Sequence, residues 1–218
     1  GALGERGFDA LQAQSRPYAL ALREWLGNAP LESRRYEVDI DGVRLHGRVA
    51  DRHPAGLVRL RTASLNGNAA IRHGLDWLLA NAAGDALPLV QFHDEGENGV
   101  GPHLLPALPP AQARDALRSL LQLRTRGLRE PLPFGPYTGW TLHTTPAEKQ
   151  FSEGAKRWHG SERSWGEAQG EAIQLALRGQ DPFKDEASFA DLLHISRVVF
   201  SAVREGRALR DEAGQGGA

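Results

Sequence analysis

The stretch from Val43 to Thr62, VRLHGRVADRHPAGLVRLRT, constrains the fold more than any other. Val43, Leu45, Gly47 and Val49 alternate with Arg44, His46, Arg48 and Ala50, the two-residue period of a strand with one buried face. His53-Pro54-Ala55-Gly56 supplies turn residues, and beyond it Val58 and Leu60 alternate with Arg59 and Arg61. Upstream, Arg35 to Ile40 (RYEVDI) alternates in the same way and ends at Asp41-Gly42, a two-residue hairpin turn. Three consecutive antiparallel strands are therefore expected. Alternation also predicts that Arg44, Arg48, Arg59 and Arg61 share one face of the hairpin.

Helical patterning brackets these strands. Phe8 and Leu11 form an apolar pair, and Tyr18, Leu22, Trp25 and Leu26 form a stripe ended by Gly27-Asn28. Pro17 predicts a kink or a fresh start near Ser15, and Trp25 reads as a core residue. A helix from Asn66 to Ala83 is built on Ile71, Leu75, Leu78 and Leu79, with His73 and Trp77 one turn apart on a neighbouring face. Leu87 to Phe92 reads as a buried strand. The segment from His93 to Gly99 reads as a solvated polar loop, although its acids could suggest a metal.

Pro109-Pro110 opens a helix whose face is Ala113, Ala116, Leu117, Leu120 and Leu121, closed by Gly127. The run GLREPLPF at 127–134 is a stiff connector that sets Leu132 and Phe134 on the core. Thr145-Pro146-Ala147-Glu148 has the form of a capping box before a helix bearing Phe151, Ala155 and Trp158. A short helix near Glu171 to Leu177 and a long one carrying Phe189, Leu192, Leu193, Val199, Phe200 and Val203 complete the pattern. The expected division is a core over 1–130, a helical extension over 131–207 and a flexible tail over 208–218.

Composition narrows the function. A hydrophobic content of 40% supports a real core, and a net charge of -1 excludes a strong non-specific binder of nucleic acid, so any DNA contact must come from a local patch. The lack of cysteine excludes disulfide and thiolate chemistry and fits a cytoplasmic protein, and no apolar run is long enough to span a membrane. Methionine is missing even at residue 1, which reads as a piece of a larger protein, or as a sequence whose methionines have dropped out, in which case some spacings are short by one.

The hairpin between flanking helices resembles the core of the PD-(D/E)XK, restriction-endonuclease-like fold in its RecB-type form. In that family Gly-x-hydrophobic-Asp ends one strand and Asp-x-Lys, usually followed by Thr, lies on the next. The two acids hold Mg²⁺, and the lysine helps to orient the attacking water. Here Gly47-Arg48-Val49 leads to Ala50, and Arg59-Leu60-Arg61-Thr62 stands in place of Asp-x-Lys-Thr. His73 and Trp77 take the spacing of the family's downstream glutamine and tyrosine. The resemblance implies an α/β (α+β) fold, a mixed sheet flanked by helices, that is catalytically degenerate at Ala50, Arg59, Arg61, His73 and Trp77.

A closer resemblance is to the C-terminal domain family of RecC, the gamma subunit of exodeoxyribonuclease V. It is carried by the hairpin without its acids, the helix from Gln112 to Arg126, GLREPLPF, the aromatic segment through Trp140, and RGQDPF at 178–183. It implies a non-catalytic domain in the RecBCD helicase-nuclease of double-strand-break repair, with RecB-like and RecD-like subunits as partners, DNA reached through the complex, and no cofactor, metal or membrane. Two other readings stand beside it: an active nuclease with relocated acids, Asp51 foremost if a bulge re-aims it, and a stand-alone protein-binding module. Candidate DNA contacts are Arg44, Arg48, Arg59 and Arg61, and candidate partner contacts are Trp140, Trp158 and Trp165, whose alternative role is to cover the core.

Overall fold

The structure, a computed structural model, describes residues 2–209, with only the backbone of residues 2–7 and 9. Residues 210–218 of the expected tail lie outside the described residues. Helix α1 (Ala2–Leu26) leads into β1 (Glu32–Ile40), β2 (Val43–His53) and β3 (Gly56–Ser64), then α2 (Gly67–Ala82), β4 (Leu89–Asp94) and β5 (His103–Leu105). Helices α3 (Pro110–Gly127), α4 (Pro136–Thr144), α5 (Gln150–His159), α6 (Glu171–Leu177) and α7 (Glu186–Glu205) follow. The five strands form one mixed sheet in the order β1-β2-β3-β4-β5, antiparallel except for β3 beside β4. That parallel pair requires a crossover, and α2 provides it. The fold is thus α+β, a mixed sheet flanked by helices, as the nuclease-like reading expects.

The turn chemistry forms as read. Asp41 and Gly42 both take positive φ, 53° and 78°, the signature of a primed hairpin turn. Tyr36, Val38, Ile40, Val49, Leu57 and Leu89 then face α2, α3 and α7, meeting Trp77, Leu78, Ala113, Leu117, Phe200 and Val203 in the main core. On the other face Val58, Val90 and Phe92 pack against Ala21, Leu22 and Trp25 of α1. Trp25 is a packing residue, 4.7 Å from the His53 ring and 6.3 Å from Phe92. A second cluster of Leu142, Trp158, Leu177, Phe183 and Leu192 binds α4 to α7 together.

Two details fix α2. Asn81, fully buried, donates to the carbonyls of Trp77 and Leu87 and accepts from the Leu108 N–H, which ties α2 to the segments before β4 and α3. Gly74 lets α7 approach closely, since a Cβ there would lie 2.3 Å from the Val203 carbonyl oxygen. The C-terminal helix α7 therefore completes the same core as the sheet.

Several expectations change. Helix α1 runs through Pro17 without a break. The Ser15 hydroxyl donates to the Leu11 and Gln12 carbonyls in the turn that proline disturbs, and the packed second half holds the helix. Phe8 and Leu11 are exposed. Leu75 is 40% exposed, whereas His73, Gly74 and Trp77 are buried. Because α2 is enclosed by the sheet on one side and α7 on another, its buried arc takes in small and polar residues that hydrophobicity does not mark. The capping box does not form, because Thr145 ends α4 and a short 3-10 turn precedes α5. Strand β5 and helix α4 are additional elements.

Candidate functional site

The Ala50 and Arg59 positions lie where β2, β3, β4 and α2 meet. Register places Glu32 opposite Arg52 but Arg34 opposite Val49, so β2 holds one extra residue at Ala50-Asp51. Asp51 takes φ 56°, a left-handed conformation that aspartate tolerates better than most residues. This is a β-bulge, and it inverts the facing of β2 on either side. Val49 faces α2 before it, and after it Arg52 takes that side and pairs with Asp85.

Arg59 lies under this bulge, 9% exposed. Its guanidinium donates to Asp76 Oδ2 at 2.6 Å, to the Ala50 carbonyl at 2.9 Å and to the Val58 carbonyl at 2.7 Å. Asp51 Oδ2 stands 3.8 Å away. A permanent cation thus occupies the space between two carboxylates, a role a metal ion plays in a working nuclease. Ala50 has no ligand side chain and contributes only its backbone. Arg61 donates from Nε to the Ser64 carbonyl at 2.7 Å, bracing the end of β3.

Beside Arg59, Gln91 Nε2 donates to His73 Nδ1 at 2.9 Å, which fixes His73 as a neutral acceptor. Burial, with the Arg59 charge next, pushes the His73 pKa down to about 3. Gln91 Oε1 accepts from Arg204 Nη1 of α7, whose guanidinium lies 5.9 Å from the Trp140 ring. Trp77 is 1% exposed and belongs to the main core, so the family's glutamine-tyrosine spacing is filled here by a buried packing pair.

The arginines do not share one face. Arg59 is turned to α2, whereas Arg44 is exposed beside Glu37 at 3.3 Å, and Arg44 and Arg48 lie on the face opposite Leu45 and Val49. A regular hairpin would have set Arg48 across from Arg61, but the extra residue at Ala50-Asp51 reverses the side on which upstream β2 residues point. The tryptophans also separate. Trp158 is 2% exposed within the second cluster and covers the core. Trp140 is half-buried with its edge toward Phe200, centroids 5.3 Å apart, and Trp165 is 50% exposed against Tyr137.

Asp76, Gln91 and Arg204 were not singled out from sequence, although signals existed. Arginine in a buried strand demands an acid, and one glutamine inside the apolar run Leu89-Val90-Gln91-Phe92 marks a buried polar network. His93 is not part of a solvated loop, since it lies within β4 at 2% exposure.

No curated protein matches the chain. A family model described as the RecC C-terminal domain matches residues 1–146, more than half of the sequence, including the hairpin, the Arg59 position and GLREPLPF, while RGQDPF lies beyond the matched span. No helix among the described residues is long and apolar enough to cross a membrane. With two thirds of its length under that one description, and with the sheet and helices that such a domain requires, the chain belongs to the RecC C-terminal domain family.

Proposed function

We propose that this domain is the non-catalytic C-terminal part of a RecC-like subunit of the ATP-dependent exodeoxyribonuclease V (RecBCD) helicase-nuclease. It works in the cytoplasm in double-strand-break repair, holds RecB-like and RecD-like subunits, and guides DNA near the point of strand separation. The observation that carries the reading is Arg59, buried and bound to Asp76 where the nuclease pattern has an acid. A Mg²⁺ ion needs hard oxygen ligands, and a guanidinium about 4 Å from a divalent ion repels it by roughly 8 kcal/mol at an effective dielectric near 20. The segment between α5 and α6 carries Trp165, the exposed aromatic suited to anchor a partner. Of the four candidate arginines, Arg44 and Arg48 are exposed and in this reading meet phosphate.

One observation favours an active nuclease with relocated acids. The bulge at Ala50-Asp51 sets the Asp51 carboxylate 3.8 Å from the Arg59 guanidinium that Asp76 also binds. Both carboxylates flank the same guanidinium, however, so the space between them is filled and one of their two negative charges is already balanced.

Assembly tests the reading. Deleting this domain from the whole subunit is expected to abolish co-purification with the RecB-like and RecD-like chains, and Trp165→Ala to weaken it. A subunit lacking the domain that still assembles and unwinds DNA at the normal rate would refute the proposal.

A further inference from the structure

At the carboxyl end of β4, beyond the Arg59 position, His93, Glu95 and His103 converge with their ligand atoms all within 4.8 Å of one another. His93 Nε2 stands 3.5 Å from Glu95 Oε1, and His103 Nδ1 stands 3.3 Å from Glu95 Oε2. The separation of neighbouring ligand atoms around a tetrahedral Zn²⁺ follows from metal–nitrogen and metal–oxygen bonds of about 2.0–2.2 Å and is roughly 3.3 Å.

Two further features point to a cation here. His93 is 2% exposed, and neither of its ring nitrogens makes a hydrogen bond. His103 Nε2 lies 3.1 Å from the His93 carbonyl oxygen, to which it can only donate. In the neutral ring that bond leaves the lone pair on Nδ1, directed at a carboxylate. Two acceptors at 3.3 Å are repulsive unless a cation lies between them. A donated N–H on one ring nitrogen and a lone pair on the other is also how outer hydrogen bonds orient metal-binding histidines.

We propose that His93, Glu95 and His103 form a binding site for a divalent transition-metal ion of the Zn²⁺ class. Two imidazoles and one carboxylate suit Zn²⁺ or Co²⁺ and disfavour the all-oxygen Mg²⁺ and Ca²⁺. Three protein ligands leave a coordination position open. His93 and Glu95 line a cavity of about 350 Å³ that Trp140, His143 and Arg204 also border. The Arg204 guanidinium on that cavity suits an anionic oxygen in the open position, and the Glu95 carboxylate, with which it interacts, offsets its repulsion of the metal. The site is separate from Arg59 and its carboxylates and does not depend on the proposed role in RecBCD.

The competing occupant of the gap is a proton, which would make His103 and Glu95 a plain ion pair. Titrating the chain with Co²⁺ and then Zn²⁺, followed by visible absorption and calorimetry, separates the two. One Co²⁺ per chain, displaced by Zn²⁺ and not by Mg²⁺, is expected. Glu95→Gln and His103→Ala, both at positions reached by solvent, should each weaken binding by at least about tenfold with an unchanged circular dichroism spectrum. His46→Ala, on the exposed face of β2, should change nothing. No saturable binding by the parent chain, or binding that survives His103→Ala, would overturn the proposal.

Discussion

Replacing Arg59 with methionine separates a structural guanidinium from one that serves DNA. The substitution keeps the apolar stem and removes the charged head. It deletes the bond to Asp76 at 2.6 Å and those to the Ala50 and Val58 carbonyls at 2.9 and 2.7 Å. A bond to a charged partner contributes about 1.5–3 kcal/mol and each neutral one about 0.5–1.5 kcal/mol. Asp76 is 31% exposed and regains some water, and Asp51, 57% exposed at 3.8 Å, adds little, so the lower half of that range applies. The expected loss is roughly 3 kcal/mol, or a fall of about 6–12 °C in Tm for a chain of this size. Asp76→Ala should cost as much or more, because it leaves a buried cation without its partner. Urea denaturation and a thermal melt measure both, and the double variant should lose less than the sum of the two. If Arg59→Met leaves stability within about 0.5 kcal/mol but reduces DNA affinity and its salt slope, the guanidinium faces phosphate and the structural assignment is wrong.

Other substitutions test the packing. Gly74→Ala should destabilise by about 2 kcal/mol or more in urea, because its Cβ would meet the Val203 carbonyl oxygen at 2.3 Å and α7 would have to move. Asn81→Ala should cost about 3 kcal/mol by the same measurement, since the Leu108 N–H and the Trp77 and Leu87 carbonyls lose their partner together. His73 gives a pH signature. Its folded pKa of about 3 lies below the ordinary 6.5, so the unfolded chain binds a proton that the folded chain refuses. Its contribution is complete above about pH 6.5 and is lost as the pH falls toward 3, at up to about 1.4 kcal/mol per pH unit. His73→Gln should flatten the acid limb of a Tm–pH profile, with the buried His93 keeping some slope in the same direction, and an unchanged limb would count against a neutral His73.

The parts legible in sequence were those written in local chemistry. Asp41-Gly42 could form only a tight hairpin, the alternation on either side fixed which residues of β1 face the helices, and Pro109-Pro110 announced α3. The parts that escaped were decided by distant contacts. One extra residue at Ala50-Asp51 reversed the facing of Arg44 and Arg48 relative to Arg59, and no local signal marks a bulge whose left-handed residue is aspartate instead of glycine. The buried arc of α2 depends on α7, more than a hundred residues away, so Leu75 looked internal and Gly74 did not. The three residues of β5 are too few to show a period, and without that strand His103 could not be set beside His93. Ala50 and Arg59 were readable in the strand pattern, but the Asp76 that partners Arg59 lies on the next helix and becomes visible only once α2 crosses over β3.

Incubating the purified chain with linear DNA and Mg²⁺ or Mn²⁺ tests the central claim most directly. With Ala50 offering no side-chain ligand and the Arg59 guanidinium lodged between Asp51 and Asp76, the DNA should remain intact at every metal concentration tried. Cleavage that co-purifies with the chain and disappears in Asp51→Asn would contradict the account and make the bulged aspartate a metal ligand of a working nuclease.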